Sequence, residues 1–302
     1  MRALVCVVHG IGNCIRTLPL INALSKLGCI VDVRFSRVRG AEAVFATHPA
    51  VSQIFDVSAK LTGYDVACCT QICGRYHTGC PISNKKLMIA PGRTTAVLTD
   101  PLSSYVRHEI DYNMDLAREL GYVYTTPVFG LPVDVEGPPA FTANDAVALA
   151  IGYLKLDGHS HMKHWGNENF ARFAELLATD GFTPVILGGE ADIPDATQIE
   201  ATVKTKLVNL CGKLSLPQTF AALAACRAIV GNETMLVPAA EALDILCLSL
   251  VFRDAKFFNI AKNRPYRSGA VIHALRSAVT PELVLRQLKE FMYNQTVRSK
   301  SP

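Results

Sequence analysis

Short apolar runs of strand length alternate with helix-length amphipathic stretches along almost the whole chain, and this alternation limits the fold more than any single motif does. Ala3–Val8 is continuously apolar. A period-3.6 pattern follows from Ile15 to Leu27, stopped by Gly28, and Ile30–Phe35 is a second expected strand. An unbroken apolar run is how a strand buried on both faces reads, and joining two such strands in parallel takes a crossover, usually a helix. The expectation is an α/β fold with parallel sheets. Tyr64–Cys69 and Lys86–Ala90 are further expected strands, and Tyr105–Leu120 is an expected helix ending at Gly121. Pro19 falls in the first turns of the Ile15–Leu27 helix, where proline is better tolerated than in mid-helix.

The pattern breaks between Thr125 and Pro139, which holds Pro127, Pro132, Pro138, Pro139, Gly130 and Gly137. Such a stretch reads as an interdomain linker, dividing the chain into domains 1–139 and 140–302. The length of 302 residues suits two domains of about 150 each. After the linker the alternation restarts. Strands are expected at Ala146–Leu154, Pro184–Leu187, Val208–Leu210, Ala228–Val230 and Ile245–Val251. Helices are expected at Glu168–Thr179, Ser215–Ala225 with Ser215 as N-cap, Glu233–Leu243 and Pro281–Tyr293.

Composition excludes several classes. Half of the residues are hydrophobic and 19% are charged, which fits a buried globular chain and not a disordered one. No window reaches the roughly 18 consecutive apolar residues of a membrane span, and the opening run lacks the features of a signal peptide. The 10 cysteines are scattered, which points to reduced thiols and a cytoplasmic protein. Cys69, Cys73, His77 and Cys80 have spacings that hold zinc on a helix. The strand-like run ending at Cys69 breaks that spacing, so buried thiols and no metal are expected.

Two strand-to-helix turns are candidates for chemistry. The first, His9–Asn13, holds Gly10 and Gly12 at the carboxyl end of a strand, where ligands bind in open α/β sheets. Gly-x-Gly alone also fits a simple tight turn, and the third glycine of a dinucleotide fingerprint is missing. The second, Val230–Thr234, offers backbone N–H groups and a helix dipole to a diphosphate, with the Thr234 hydroxyl as a further donor. The same Glu233 and Thr234 also fit an ordinary helix cap.

Four segments together resemble the bacterial lipopolysaccharide heptosyltransferases, glycosyltransferase family 9. They are Gly10–Leu24; His108–Gly121; Lys163–Trp165 with Phe170 and Gly188–Asp192; and Asn209–Leu216 with Val230–Thr234 and Ala239–Ala242. The resemblance covers most of the chain and is strongest from Lys163 to Leu243. It implies a GT-B fold, two Rossmann-like domains facing each other across a cleft. It further implies inverting, metal-independent transfer of a sugar from a nucleotide-diphosphate donor, with an ADP-sugar favoured and no cofactor. By that resemblance Lys163 faces the donor phosphates, where a cation stabilises the charge developing on the leaving group. Leu214 packs near the base, and Glu233 and Thr234 stand at the donor turn. Gly10, Gly12, Gly188, Gly189 and Met235 complete the expected donor-binding set.

The chain departs from the family at three places. Asn13 stands where the family has an aspartate taken as the catalytic base, and an amide cannot accept the proton. Met235 and Pro238 replace a glycine and a histidine of the donor turn. His9, Asp100 or Glu109 is then the alternative base, with His9 preferred for its place at the same strand tip. On the acceptor side, Arg34, Arg37 and Arg39 cluster after the second strand, with Lys85, Lys86 and Arg93 further on and Asp100 beyond them. Arginines suit phosphate and carboxylate groups. The expected acceptor is an anionic, lipid-linked or lipopolysaccharide-type saccharide, met in the cytoplasm or peripherally at the inner membrane. Nucleic acid, as in a DNA-modifying sugar transferase, is the second choice, because no stacking platform accompanies the basic residues. A catalytically silent nucleotide-sugar-binding protein is the third reading.

Overall fold

A computed structural model describes residues 1–7, 10–35, 40–56, 58–59, 61–70, 88–90, 93–95, 107–123, 126–133, 141, 145–153, 163–253, 264–266 and 269–298. The chain splits into two compact units, one built on Met1–Pro132 and one on the described chain from Val133 onward. Each unit is an α/β layer around its own six-stranded sheet.

In the first unit the strands are β1 (Arg2–Val7), β2 (Ile30–Phe35), β3 (Gln53–Asp56), β4 (Val66–Cys69), β5 (Met88–Ala90) and β6 (Arg93–Thr95), in the order β3-β2-β1-β4-β5-β6. β1 pairs in parallel with β2 and β4, and β2 with β3. The edge departs from the expected all-parallel sheet: β5 runs antiparallel to both β4 and β6. Only two residues separate β5 from β6 in sequence, too few for the crossover that a parallel pair needs.

Helix α1 spans Ile11–Lys26, and its residues Cys14–Ile21, Ala23 and Leu24 are buried. It begins four positions before the expected start. Gly12 and Asn13 are therefore helical, and the loop read as Gly10–Gly12 shrinks to an N-cap at Gly10. Pro19 thus lies inside the helix. The helix runs through it although proline supplies no N–H there, because the surrounding apolar face is wholly buried. Gly28, at φ +79°, closes the element in the left-handed region. Helix α2 (Glu109–Arg118) packs on α1. Within β2, Asp32 is fully buried and accepts from the Arg2 guanidinium at 2.6 Å and the Tyr64 hydroxyl at 2.8 Å.

The second unit holds β7 (Ala146–Ala150), α3 (Asn167–Thr179), β8 (Thr183–Leu187), α4 (Ile193–Thr202), β9 (Val208–Asn209), α5 (Leu216–Ala224), β10 (Ala228–Asn232), α6 (Leu236–Ala242), β11 (Leu246–Phe252), β12 (Gly269–Ala274) and α7 (Pro281–Arg298). Its sheet order is β12-β11-β10-β7-β8-β9, and every pair is parallel. The chain moves from β7 outward to β9, then returns to add β10, β11 and β12 on the other side. The strand order therefore reverses between β7 and β10, and open sheets of this kind bind ligands beyond the carboxyl ends at that point.

The core of this unit is aromatic and aliphatic. Phe170, Phe173, Ala174 and Leu177 line the inner face of α3 at helical spacing, and Val284, Leu288 and Met292 do the same on α7. Trp165 is 1% exposed and stands edge-on to Phe170 at 5.1 Å. Its indole N–H donates to the Val279 carbonyl at 2.7 Å. Fully burying one such ring contributes about 1.5–3 kcal/mol. Among the described residues no helix is long and apolar enough to cross a membrane.

Candidate functional site

The site is built where strand order reverses in the second unit. β10 is buried along its whole length and continues through Gly231 and Asn232, two residues expected in a turn. Gly231 lies opposite Ala150 of β7. A Cβ there would stand 2.2 Å from the Ala150 carbonyl oxygen, so only glycine lets the two central strands pair at this register. The turn proper is Glu233–Met235, and α6 begins at Leu236. The Thr234 hydroxyl accepts the Leu236 N–H at 3.1 Å, a capping bond that leaves its own proton to donate. Pro238 sits in the first turn of α6, where its missing N–H has no intrahelical partner to lose.

Lys163 arrives beside this turn from the segment that follows β7. Its Nζ lies 3.4 Å from Glu233 Oε2, and both side chains are partly exposed, 25% and 19%. An ammonium held this way is near a carboxylate yet reachable by a ligand, and the pair is worth little to stability in that setting. Asn232, fully buried, stands directly behind it. Its amide donates to the carbonyls of Ile151 at 2.8 Å and Gly152 at 3.2 Å, and its oxygen accepts the Trp165 N–H at 3.1 Å.

The neighbouring strands supply the rest of the edge. Gly188 and Gly189 follow β8. The Gly189 N–H is taken by Asp192 Oδ2 at 3.0 Å, and the Gly188 carbonyl accepts from Gly212 at 3.0 Å. Added Cβ atoms would press on Asp192 Oδ2 at 2.7 Å from Gly152 and on the Cys211 sulfur at 2.9 Å from Gly188. These glycines therefore let three loops close on one another. Leu214 is half-buried in the turn between β9 and α5, and α5 opens with the expected Ser215 cap, reinforced by Gln218. Residues expected at the donor thus follow β10, β7, β8 and β9, which are consecutive in the sheet. A separate cavity of about 590 Å³ opens beside the start of α3, lined among others by His164, Asn167, Asp195, Gln198 and Arg276. None of the expected donor residues borders it.

In the first unit, Gly10 caps α1, and Gly12 and Asn13 lie in its first turn, with the Asn13 N–H on the Gly10 carbonyl at 3.0 Å. Arg34 sits on β2 beside Cys6 of β1. Glu109, another of the alternative bases, is 2% exposed and faces the Arg16 guanidinium at 3.6 Å. His9, Arg37, Arg39 and Asp100 lie outside the described residues, as do Lys85, Lys86, Cys73, His77 and Cys80. Among the described residues no group of three or more His, Cys, Asp or Glu side chains could hold a metal ion.

Residues 140–286 match the sequence profile of glycosyltransferase family 9 (heptosyltransferase). The lipopolysaccharide heptosyltransferase 2 of Salmonella typhimurium is 33% identical over 166 residues, which are 49% of this chain and 48% of that one. The corresponding Escherichia coli protein is 29% identical over 117 residues, 36% of this chain and 34% of that one. The chain thus spans about a third to a half of the length of these two relatives. The solved structure of a family 9 glycosyltransferase from Veillonella parvula superposes with a TM-score of 0.76 at 16% identity, covering 97% of each chain. Escherichia coli ADP-heptose heptosyltransferase II superposes at 0.73 and 18%, covering 98% of this chain and 100% of that one. At such identities the likeness establishes the fold, two Rossmann-like units of GT-B type. The second unit is thus similar in sequence to glycosyltransferase family 9 (heptosyltransferase) over residues 140–286, and the chain shares the fold of that family's solved structures along its length.

Proposed function

We propose that this protein transfers a sugar from a nucleotide-diphosphate donor to a saccharide acceptor, and that the second unit holds the donor diphosphate between Lys163 and the Glu233–Met235 turn. The observation that carries this is the Lys163–Glu233 pair at 3.4 Å, set beside the strand-order reversal. When the bond to the sugar breaks, negative charge grows on the departing nucleotide diphosphate. A lysine already held there stabilises that charge without first having to be ordered. This supports a metal-independent reaction, with the lysine as the cation. The matched Escherichia coli protein is described as an ADP-heptose heptosyltransferase, which favours an ADP-sugar here. The relatives being lipopolysaccharide heptosyltransferases, an anionic, lipopolysaccharide-type acceptor is preferred to nucleic acid. Action in the cytoplasm or at the inner membrane surface belongs to the same reading.

Inversion in a single displacement requires a base for the acceptor hydroxyl. Asn13 cannot supply it, and His9 is the proposed substitute. The amide at position 13 also favours a second reading, a protein that binds nucleotide sugars without turning them over. A thermal-shift panel of ADP, UDP and GDP with their sugars tests the donor site. A ligand at 100 times its Kd stabilises by about 2.7 kcal/mol, and absence of a shift with every nucleotide diphosphate refutes the proposal. Transfer assays then separate the two readings. His9→Ala abolishes transfer and spares the thermal shift if His9 is the base. If the wild type is silent, activity appearing in Asn13→Asp marks a degenerate enzyme.

A further inference from the structure

We infer that Asn232 is a positioning residue for Lys163, an inference that rests on the donor-site reading above. Three backbone groups converge on its side chain: the carbonyls of Ile151 and Gly152 at the end of β7, and the Trp165 N–H two residues beyond Lys163. Two acceptors and one donor are thus presented to a fully buried side chain. A primary amide answers all three, with two N–H groups and one oxygen. Aspartate lacks the donors and adds a buried charge, and leucine leaves all three groups unsatisfied.

The consequence reaches the ligand side. Asn232 is the last residue of β10 and Glu233 the next in sequence, so one residue sets the start of the donor turn and also ties down the chain that carries Lys163. Trp165 makes the tie rigid: its ring is clamped between Phe170 and Phe173, and its indole N–H is held by Val279. Lys163 therefore leaves a fixed point and meets Glu233 across a short span. A lysine held in place by its backbone loses less freedom when it binds a diphosphate than one on a loose loop. Asn232 touches no ligand in this scheme. It acts by fixing where the ammonium stands.

The test combines amide hydrogen exchange with ADP titration on the full chain. In the wild type, the Trp165 amide is as protected as the β10 amides; exchange at the rate of an exposed loop overturns the inference without any variant. Asn232→Ser keeps a small polar group but cannot span the three partners, and Asn232→Leu is the stricter version if it folds. Either is expected to release the 163–166 segment to rapid exchange and to weaken ADP binding about tenfold. Lys163→Ala alone weakens ADP comparably, but it adds less than about twofold in the Asn232→Ser background, because the lysine is already misplaced there. A full additive loss, or unchanged protection at Trp165, overturns the inference. If the wild type binds no ADP yet the variant loses protection at Trp165, the donor reading fails while the tie between Asn232 and the Lys163 segment stands.

Discussion

Gly231→Ala is the most informative single change to the second unit. The new methyl would lie 2.2 Å from the Ala150 carbonyl oxygen and 2.7 Å from the carbonyl carbon. A carbon needs about 3.3 Å from a carbonyl oxygen, so β10 and β7 must part by about 1 Å at the centre of a parallel sheet. Neither strand can yield easily, since both are buried along their lengths. Overpacking of this kind costs about 1–3 kcal/mol, and weakened ladder bonds at the same register add about 1 kcal/mol. A total near 3 kcal/mol lowers the melting temperature of a unit this size by about 6–12 °C. Differential scanning calorimetry reads it directly. Gly189→Ala is the matched control: it has ordinary backbone angles and nothing within 4 Å of an added Cβ, so its melting temperature stays within about 2 °C of wild type. If Gly231→Ala melts within about 2 °C of wild type, the close approach of the two strands is not what demands glycine there.

Three further outcomes follow from the geometry. The Tyr64 hydroxyl is pushed up to about 12, first by burial and then by its hydrogen bond to Asp32. Its neutral form is favoured by folding, so its contribution to stability is whole below the ordinary phenol value of 10.0 and is lost as pH rises from there through about 12. Phenolate absorbance checks this, and Asp32→Asn moves the midpoint back toward the ordinary value. The thiols of Cys14, Cys68 and Cys226 are also raised to about 12 by burial. Only about 10⁻⁵ to 10⁻⁴ of each is thiolate between pH 7 and 8, so thiol reagents label them on unfolding and not before; rapid native labelling refutes their burial. Trp165→Phe strands the Val279 carbonyl that the indole N–H serves at 2.7 Å. It lowers stability to denaturant by about 1–3 kcal/mol, and an unchanged midpoint shows that the bond contributes nothing.

Much of the fold was legible because periodicity reports burial. β2, the α3 stripe and the Ser215 cap emerge from residue spacing alone. The misses have physical causes. α4 buries only Ala196 and Ile199, too few to make a stripe. β12 is a half-buried edge strand, without the alternation that one dry and one wet face produce. α1 starts early because Gly10 caps the helix where glycine had suggested a loop. β10 runs on through Gly231 and Asn232, two residue types poor in strands, because the sheet context overrides propensity. In the candidate site, Lys163, Glu233 and Thr234 were visible through the family resemblance. Asn232 was passed over as a turn residue, since no local pattern reveals partners that lie 67 to 81 positions away.

That separation has a consequence for how the candidate site forms. Among the described strands of the second unit every neighbouring pair is parallel, so none of these pairings forms as a hairpin, and the central one joins β7 to β10 across the span that includes α3, β8, α4, β9 and α5. Contacts of such long range close slowly, after much chain entropy has been surrendered. The donor turn and the lysine loop come together only when that pairing is made. A chain stalled with β7, β8 and α3 docked would look largely folded by helix content and still lack the candidate site. Under the proposed donor role, nucleotide binding is therefore the stricter gauge of nativeness, and added nucleotide, by mass action, draws late folding intermediates of the second unit toward completion.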